Sequence, residues 1–332
     1  MAASPAVLLA LALLAPQATV PRPGSAKPAP FYPYVVEPHD ALWGHLSDGY
    51  FREPMSVFWE PVARELYVSD SKNGRVGIFD ENGTPLYTFA GSNLLLEPRS
   101  LEVDAEGTIF ALDSAAAELR RFSYRGEYET TLSFERPGPE GKPVHVPVSA
   151  FARAADGRWY VIDRDAGKVL AFDAERRFEL ELPPPPKLER FPTPSDVAVS
   201  PTGLVAVCDQ RTDPAVHVYD AKGNLVAAFG GRDVALGDFT APVALTFDDE
   251  GFLYVVDMLR HDIKIYTGSG KFLQHFGGWF SPETRGRAAG EMLYPVDVCV
   301  VPGGGPIYVA ERFGQRVQVF ERTVRTEAPA QR

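Results

Sequence analysis

Cysteine, basic charge, helical periodicity and long apolar runs are all scarce in this chain, and each scarcity removes a class of protein. Two cysteines, Cys208 and Cys299, in 332 residues are too few for a disulfide-built scaffold or a cysteine-based zinc knot. They fall in different sequence units, so two buried free thiols are expected. Lys and Arg number 33 against 44 Asp and Glu, a formal net charge of −11. That balance leaves no basic surface to displace counterions from a nucleic acid, so no nucleic-acid partner is expected. The one sustained apolar run, at 6–15, is shorter than the ~20 residues that a membrane helix needs. HExxH, GxSxG, cysteine pairs at metal spacing and phosphate-cradling glycine loops are all missing. The histidines at 39, 45, 145, 217, 261 and 275 are scattered over loops and strands and do not form a zinc set.

What the chain has is strand and turn material: 29 Gly, 30 Pro and 11% aromatic residues. The clearest stretch is 239–278. Four short runs rich in β-branched and aromatic residues (243–247, 252–256, 263–266 and 272–276) alternate there with turn clusters, giving one four-stranded antiparallel meander. A single meander has two apolar faces and two open edges, so it is stable only against copies of itself. The copies are present. Its leading proline recurs as Pro54, Pro98, Pro147, Pro194, Pro242 and Pro295. The acidic residue that closes its second run recurs as Asp70, Asp113, Asp163, Asp209, Asp257 and Glu311. Two independent markers thus report six units with one period.

The sixth unit has no fourth strand of its own, while residues 32–43 read as a strand ahead of the first unit. The expected fold is therefore all-β: a six-bladed β-propeller of four-stranded antiparallel blades, its ring closed by an N-terminal strand completing the last blade. The expected layout is a signal peptide at 1–18, a Pro-rich linker at 19–31, the propeller at 32–321 and a polar tail at 322–332. This predicts a secreted or periplasmic protein with no transmembrane span in the mature chain, and a monomer.

Chemistry has to be sought by position in the ring. The second residue after each proline starts the innermost strand at the channel mouth: Ser56, Ser100, Ser149, Asp196, Ala244 and Asp297. Two residues further in, Glu102 adds a carboxylate. Glu102, Asp196 and Asp297 could converge on the axis around a hard divalent cation, Ca²⁺ before Zn²⁺, or bind channel water and the unpaired amides of the inner strands. The recurring acids at strand ends are expected to brace the turns that follow them. Arg164, Arg211, Arg260 with His261, and Arg312 follow those acids and gather positive charge on the loop face. Trp279 in the longest loop offers an aromatic anchor there.

The unit with F-x-x-P, then D-x-x-G-x-L-Y-V-x-D, then a third strand such as Arg316-Val317-Gln318-Val319-Phe320 and a closing F-G-G, resembles the NHL repeat. The match is best at 239–278, 191–231 and 292–320 and looser in the other units. The resemblance implies six-bladed propellers of extracytoplasmic bacterial type, most of which are interaction platforms; related propellers include peptide-amidating lyases and metal-dependent lactonases. The expected function is a non-catalytic platform for a protein, peptide or glycan, with no cofactor. The alternative is a metal-dependent lyase or lactonase with one axial divalent cation. Carboxylates without a base, nucleophile or histidine set make a thin active site, which favours the platform. The leader reading is checked by mass spectrometry of the exported protein, whose first residue is expected to fall between about 16 and about 31.

Overall fold

The structure is a computed structural model and describes residues 32–45, 48–90, 94–232, 235–279 and 289–326. The expected signal peptide and linker, Phe280, and residues 327–332 lie outside the described residues. The chain forms six four-stranded antiparallel sheets. Their innermost strands are Pro54–Glu60, Pro98–Val103, Ala150–Arg153, Pro194–Val199, Pro242–Phe247 and Pro295–Val300. Each sheet is a blade of a six-bladed β-propeller, and in the first five blades hairpins join the strands from the axis outwards. In the fifth blade the order is Pro242–Phe247, Phe252–Asp257, Asp262–Thr267 and Phe272–Gly277.

The apolar residues do not form a central core. They form six separate cores, each between two neighbouring blades, because every sheet is apolar on both faces. Between the last and first blades, Met55, Val57, Trp59, Leu66 and Val68 meet Cys299, Tyr308, Ala310, Val317 and Val319, with Trp59 stacked on Tyr308 at 6.0 Å. Full burial of each such side chain contributes about 1.5–3 kcal/mol, so opening the seam would be costly. Cys208 and Cys299 are buried free thiols in different cores.

The recurring acids are buried. Asp70, Asp113, Asp209, Asp257 and Glu311 are 0% exposed and Asp163 is 5% exposed. Asp209 accepts the amides of Thr193, Arg211 and Thr212, and Asp257 those of Thr240, Ala241 and Arg260. Each of these two acids ties the loop entering its blade to the loop after its second strand, and Arg75, Arg120, Arg316 and the wholly buried Lys264 neutralise the charge in four blades.

Tyr34–Leu42 is the outer strand of the sixth blade and pairs antiparallel with Arg316–Val324, from Tyr34 opposite Val324 to Leu42 opposite Val317. The polar tail expected from 322 onwards is corrected here: the third strand runs on to Val324. The segment reads as polar because its burial comes from a distant part of the chain. Arg322 is 7% exposed, with its guanidinium over the Tyr34 ring. It donates to the Gly305 carbonyl at 2.6 Å and reaches Tyr254 Oη at 3.4 Å and Asp248 Oδ2 at 3.5 Å. Tyr32 Oη meets Tyr254 Oη at 2.5 Å. Burial pushes the Asp248 carboxyl up to about 6, against the pull of the Phe252 amide, the Tyr254 hydroxyl and Arg322. Arg322→Leu leaves that carboxylate buried without its cation. Urea denaturation at neutral pH is expected to show a loss of roughly 3 kcal/mol, at least half of it recovered when Asp248→Asn is added.

Candidate functional site: the channel mouth and the loop face

Each inner strand presents an unpaired edge to the axis, so its amides need acceptors. Three carboxylates supply them, one from every second blade. Glu102 accepts the Arg153 amide with both oxygens, at 3.2 and 3.1 Å. Asp196 accepts the Leu245 amide at 2.9 Å, and Asp297 accepts the amides of Val57 at 3.0 Å and Val298 at 2.8 Å. Each carboxylate therefore bridges its own blade to the next. The hydroxyl of Ser56, which is 3% exposed, adds a bond to Asp297.

Burial decides the protonation of the channel, and these bridges work against it. Burial pushes Asp297 up to about 6, moderated by Ser56 and the two amides. Burial, and then the charge of Asp297, pushes Asp196 up to about 8. Glu102 also rises to about 8, chiefly by burial, with the Arg153 amide opposing and Asp196 adding a small further rise. Asp297 thus ionises first, and burial, with that charge added, keeps the proton on Asp196. As a metal centre the set does not fit. Among the described residues no three His, Cys, Asp or Glu side chains gather to hold an ion. Asp196 and Asp297 share one cavity, but Glu102 is not in its lining. The oxygens that would ligate a cation are engaged with backbone amides.

That cavity, about 80 Å³, lies at the channel mouth and is lined by Arg99, Ser100, Ser149 and Arg312 as well as by the two aspartates. Arg99 was not among the residues expected from spacing. The reason is a β-bulge: the register shifts between Pro98 and Ser100, as it does between Pro54 and Ser56, Pro194 and Asp196, Pro242 and Ala244, and Pro295 and Asp297. Strict alternation would turn the residue after the proline away from the axis. The bulge turns it in, so Arg99, Ser195, Val243 and Val296 line the mouth beside their neighbours. Arg99 and Arg312 line the opening and Arg164 lies beside it; loss of water, followed by the charges of Arg164 and Arg312, lowers the pKa of Arg99. Arg164 is anchored by donation to the Pro194 carbonyl at 3.2 Å and by its amide on Ser149 Oγ at 3.3 Å. Arg312 pairs with Glu53 at 2.9 Å.

The other expected contacts divide. Arg211 is exposed. Arg260 is half-buried and donates to the Ala235 carbonyl and Thr240 Oγ1. His261 is corrected: it is 0% exposed and has left-handed backbone at φ 58°, so it supports the loop face from beneath. Its ring packs edge-on against Trp279 at 4.5 Å and Tyr294 at 4.8 Å. Above it, Trp279 is 62% exposed and Phe313 49%, and Tyr294 meets Phe313 at 5.0 Å with Arg312 lying over the Phe313 ring. An aromatic row thus runs from the fifth blade to the arginines of the mouth. Phe313 escaped sequence reasoning because nothing in a single Phe after Arg312 shows that it is left exposed.

A ring of six such blades with an axial mouth defines the class: a six-bladed β-propeller. Solved structures of similar shape include virginiamycin B lyase from Staphylococcus aureus, 12% identical over 87% of this chain and 99% of that one, with a TM-score of 0.57. Another, solved under a provisional gluconolactonase assignment, is 18% identical over 87% of this chain and 95% of that one, with a TM-score of 0.59. At these identities the likeness is one of fold. Among curated proteins, the Protein brain tumor of Drosophila melanogaster is 31% identical over 107 residues, which is 29% of this chain and 10% of that protein. The match therefore spans only about a tenth of that relative's length. No family model matches the chain.

The axial carboxylates carry a pH signature. A carboxyl whose folded pKa lies above its unfolded value contributes stability that is complete below the unfolded value and is lost as pH rises through the folded one. For Asp196 that window runs from about 4 to about 8. His217, pushed down to about 4 by burial, works in the opposite sense at lower pH, so the useful quantity is a difference between proteins. Asp196→Asn keeps an acceptor for Leu245 and removes the charge. Its melting temperature is expected to match wild type near pH 4 and to exceed it by roughly 3 °C or more above pH 8, as read by calorimetry across that range.

Proposed function

We infer that this chain is a binding propeller of NHL type that acts outside the cytoplasm and holds a protein, peptide or glycan on its loop face. The observation that carries this reading is the aromatic row of Trp279 and Phe313 leading into a mouth ringed by Arg99, Arg164 and Arg312. Neither Arg99 nor Arg164 makes an ion pair among the described residues, and near neutral pH two of the three carboxyls below them stay protonated. The mouth is therefore positive on a protein that is negative overall, which suits an anionic group such as a carboxylate of the ligand. Exposed aromatic surface beside it supplies the apolar contact that a stable complex requires. Other large apolar side chains of the connecting loops, Leu96, Leu236 and Leu259 among them, are also exposed and extend the same face.

The axial carboxylates are buried and spend their oxygens on backbone amides, and among the described residues the lining of the mouth holds no histidine to activate its serines, which favours binding over a lyase or lactonase reaction. In a pull-down from the native envelope fraction, the triple variant Arg99→Ser, Arg164→Ser, Arg312→Ser is expected to lose the ligand that wild type retains, by tenfold or more on the ~1.4 kcal/mol per decade scale. Trp279→Ala is expected to weaken it without changing its salt dependence. Retention of the same ligand by the triple variant at wild-type levels would remove the mouth from the binding site.

A further inference from the structure

On the face opposite the loop face, the hairpin turns of the first and second blades enclose a larger cavity of about 530 Å³. Its lining includes Tyr67, Tyr87 and Tyr124 with Glu60, Glu65 and Arg125. Ala63, Gly107, Tyr124 and Arg125 belong to the connections between first and second strands and between third and fourth strands, and Glu60, Glu65, Tyr67 and Tyr87 to the strand ends beside them, so the cavity stands about a strand's length from the channel mouth. Gly107, at φ +80°, completes the wall; a Cβ there would lie 3.2 Å from Tyr124 Cβ.

The hydrogen-bonding groups of the pocket point one way. Tyr67 Oη donates to Glu65 Oε2 at 2.9 Å, and Tyr87 Oη donates to the Tyr124 carbonyl at 2.5 Å. Both hydroxyl protons are thus spent, and each oxygen keeps its acceptor capacity. Burial first, and Glu65 next, raise the pKa of both phenols, so both stay protonated. Glu60, only 4% exposed, accepts the Val62 amide at 2.9 Å and the Ala63 amide at 2.5 Å and retains further lone pairs. Neither Glu60 nor Glu65 is paired with a Lys or Arg among the described residues. The lining therefore offers acceptors and aromatic faces, with Arg125 as the single donor-rich cation. Arg125 already lies over the Tyr124 ring at 5.3 Å. A guanidinium held on a pocket aromatic is the contact that an external cation would make on the remaining rings.

We propose that this inter-blade pocket binds an organic cation, a primary ammonium on an aliphatic stem. The ammonium is received by Glu65 and Glu60, and the stem lies between Tyr67, Tyr87 and Tyr124. Such a group is presented by a lysine side chain of a peptide or by a free small amine, and the pocket recognises what the two share. The site is separate from the loop face, so either can be lost without the other.

The test is calorimetric titration of the full chain at constant ionic strength with n-pentylamine, n-pentanol and a blocked lysine tripeptide. Pentylamine is expected to bind saturably and pentanol not to bind. Glu65→Gln and Tyr124→Ala, each with a melting temperature within a few degrees of wild type, are expected to weaken pentylamine binding at least about tenfold, since the first removes the charge that receives the ammonium and the second a ring against which its stem lies. Tighter binding of the tripeptide than of pentylamine assigns a peptide source, and the reverse order a small amine. Equal binding of pentylamine and pentanol, no binding of either amine, or pentylamine affinity unchanged by both variants would overturn the proposal.

Discussion

A sheet that is apolar on both faces must be covered on both, and the whole molecule follows from meeting that demand six times. A stack of such sheets always leaves two uncovered faces, whereas a ring leaves none. Closure is therefore required for every interface, because opening the seam between the first and last blades would expose Trp59 and Tyr308 together with the residues packed around them. The chain holds the seam by pairing its two ends in one sheet, with Arg322 and Tyr34 clasped across the outer strands. Pulling the ring apart thus means breaking a ladder of backbone hydrogen bonds as well as an apolar core.

The same ring creates its own polar problem at the axis. Six inner strands turn unpaired amides towards a narrow channel, and Glu102, Asp196 and Asp297 answer it as acceptors bridging one blade to the next. Gathering carboxyls there costs charge, so protons are retained, and the positive potential of the mouth above them is left largely uncancelled. The two faces of the propeller consequently differ in kind. The loop face joins arginines to exposed aromatic rings, while the turn face carries a tyrosine-walled pocket with unpaired carboxylates.

Much of this was legible in the order of residues. Proline and aspartate recurring in register announce the blades, and the count of acids at strand ends foretells their structural use, since a group that serves every turn recurs with every turn. The site was less legible for identifiable reasons. Arg99 hides behind a bulge that breaks the alternation from which channel-facing positions are counted. His261 looked like a neighbour of Arg260 on the surface, but its positive φ turns the ring under Trp279. Arg322-Thr323-Val324 looked like a tail because a strand whose partner lies some 290 residues away carries no local sign of being covered.

By itself, then, the sequence determined the unit, its number and the all-β class, because periodicity, turn residues and apolar alternation act over a few residues and are repeated often enough to be read. Only the tertiary structure decided which charges meet. Arg99, Arg164 and Arg312 come from three blades, as do Glu102, Asp196 and Asp297, and the tyrosine pocket is built from two. Proximity of that sort depends on the angle between sheets and on single-residue bulges, which set where a side chain points without leaving any pattern in the chain that encodes them.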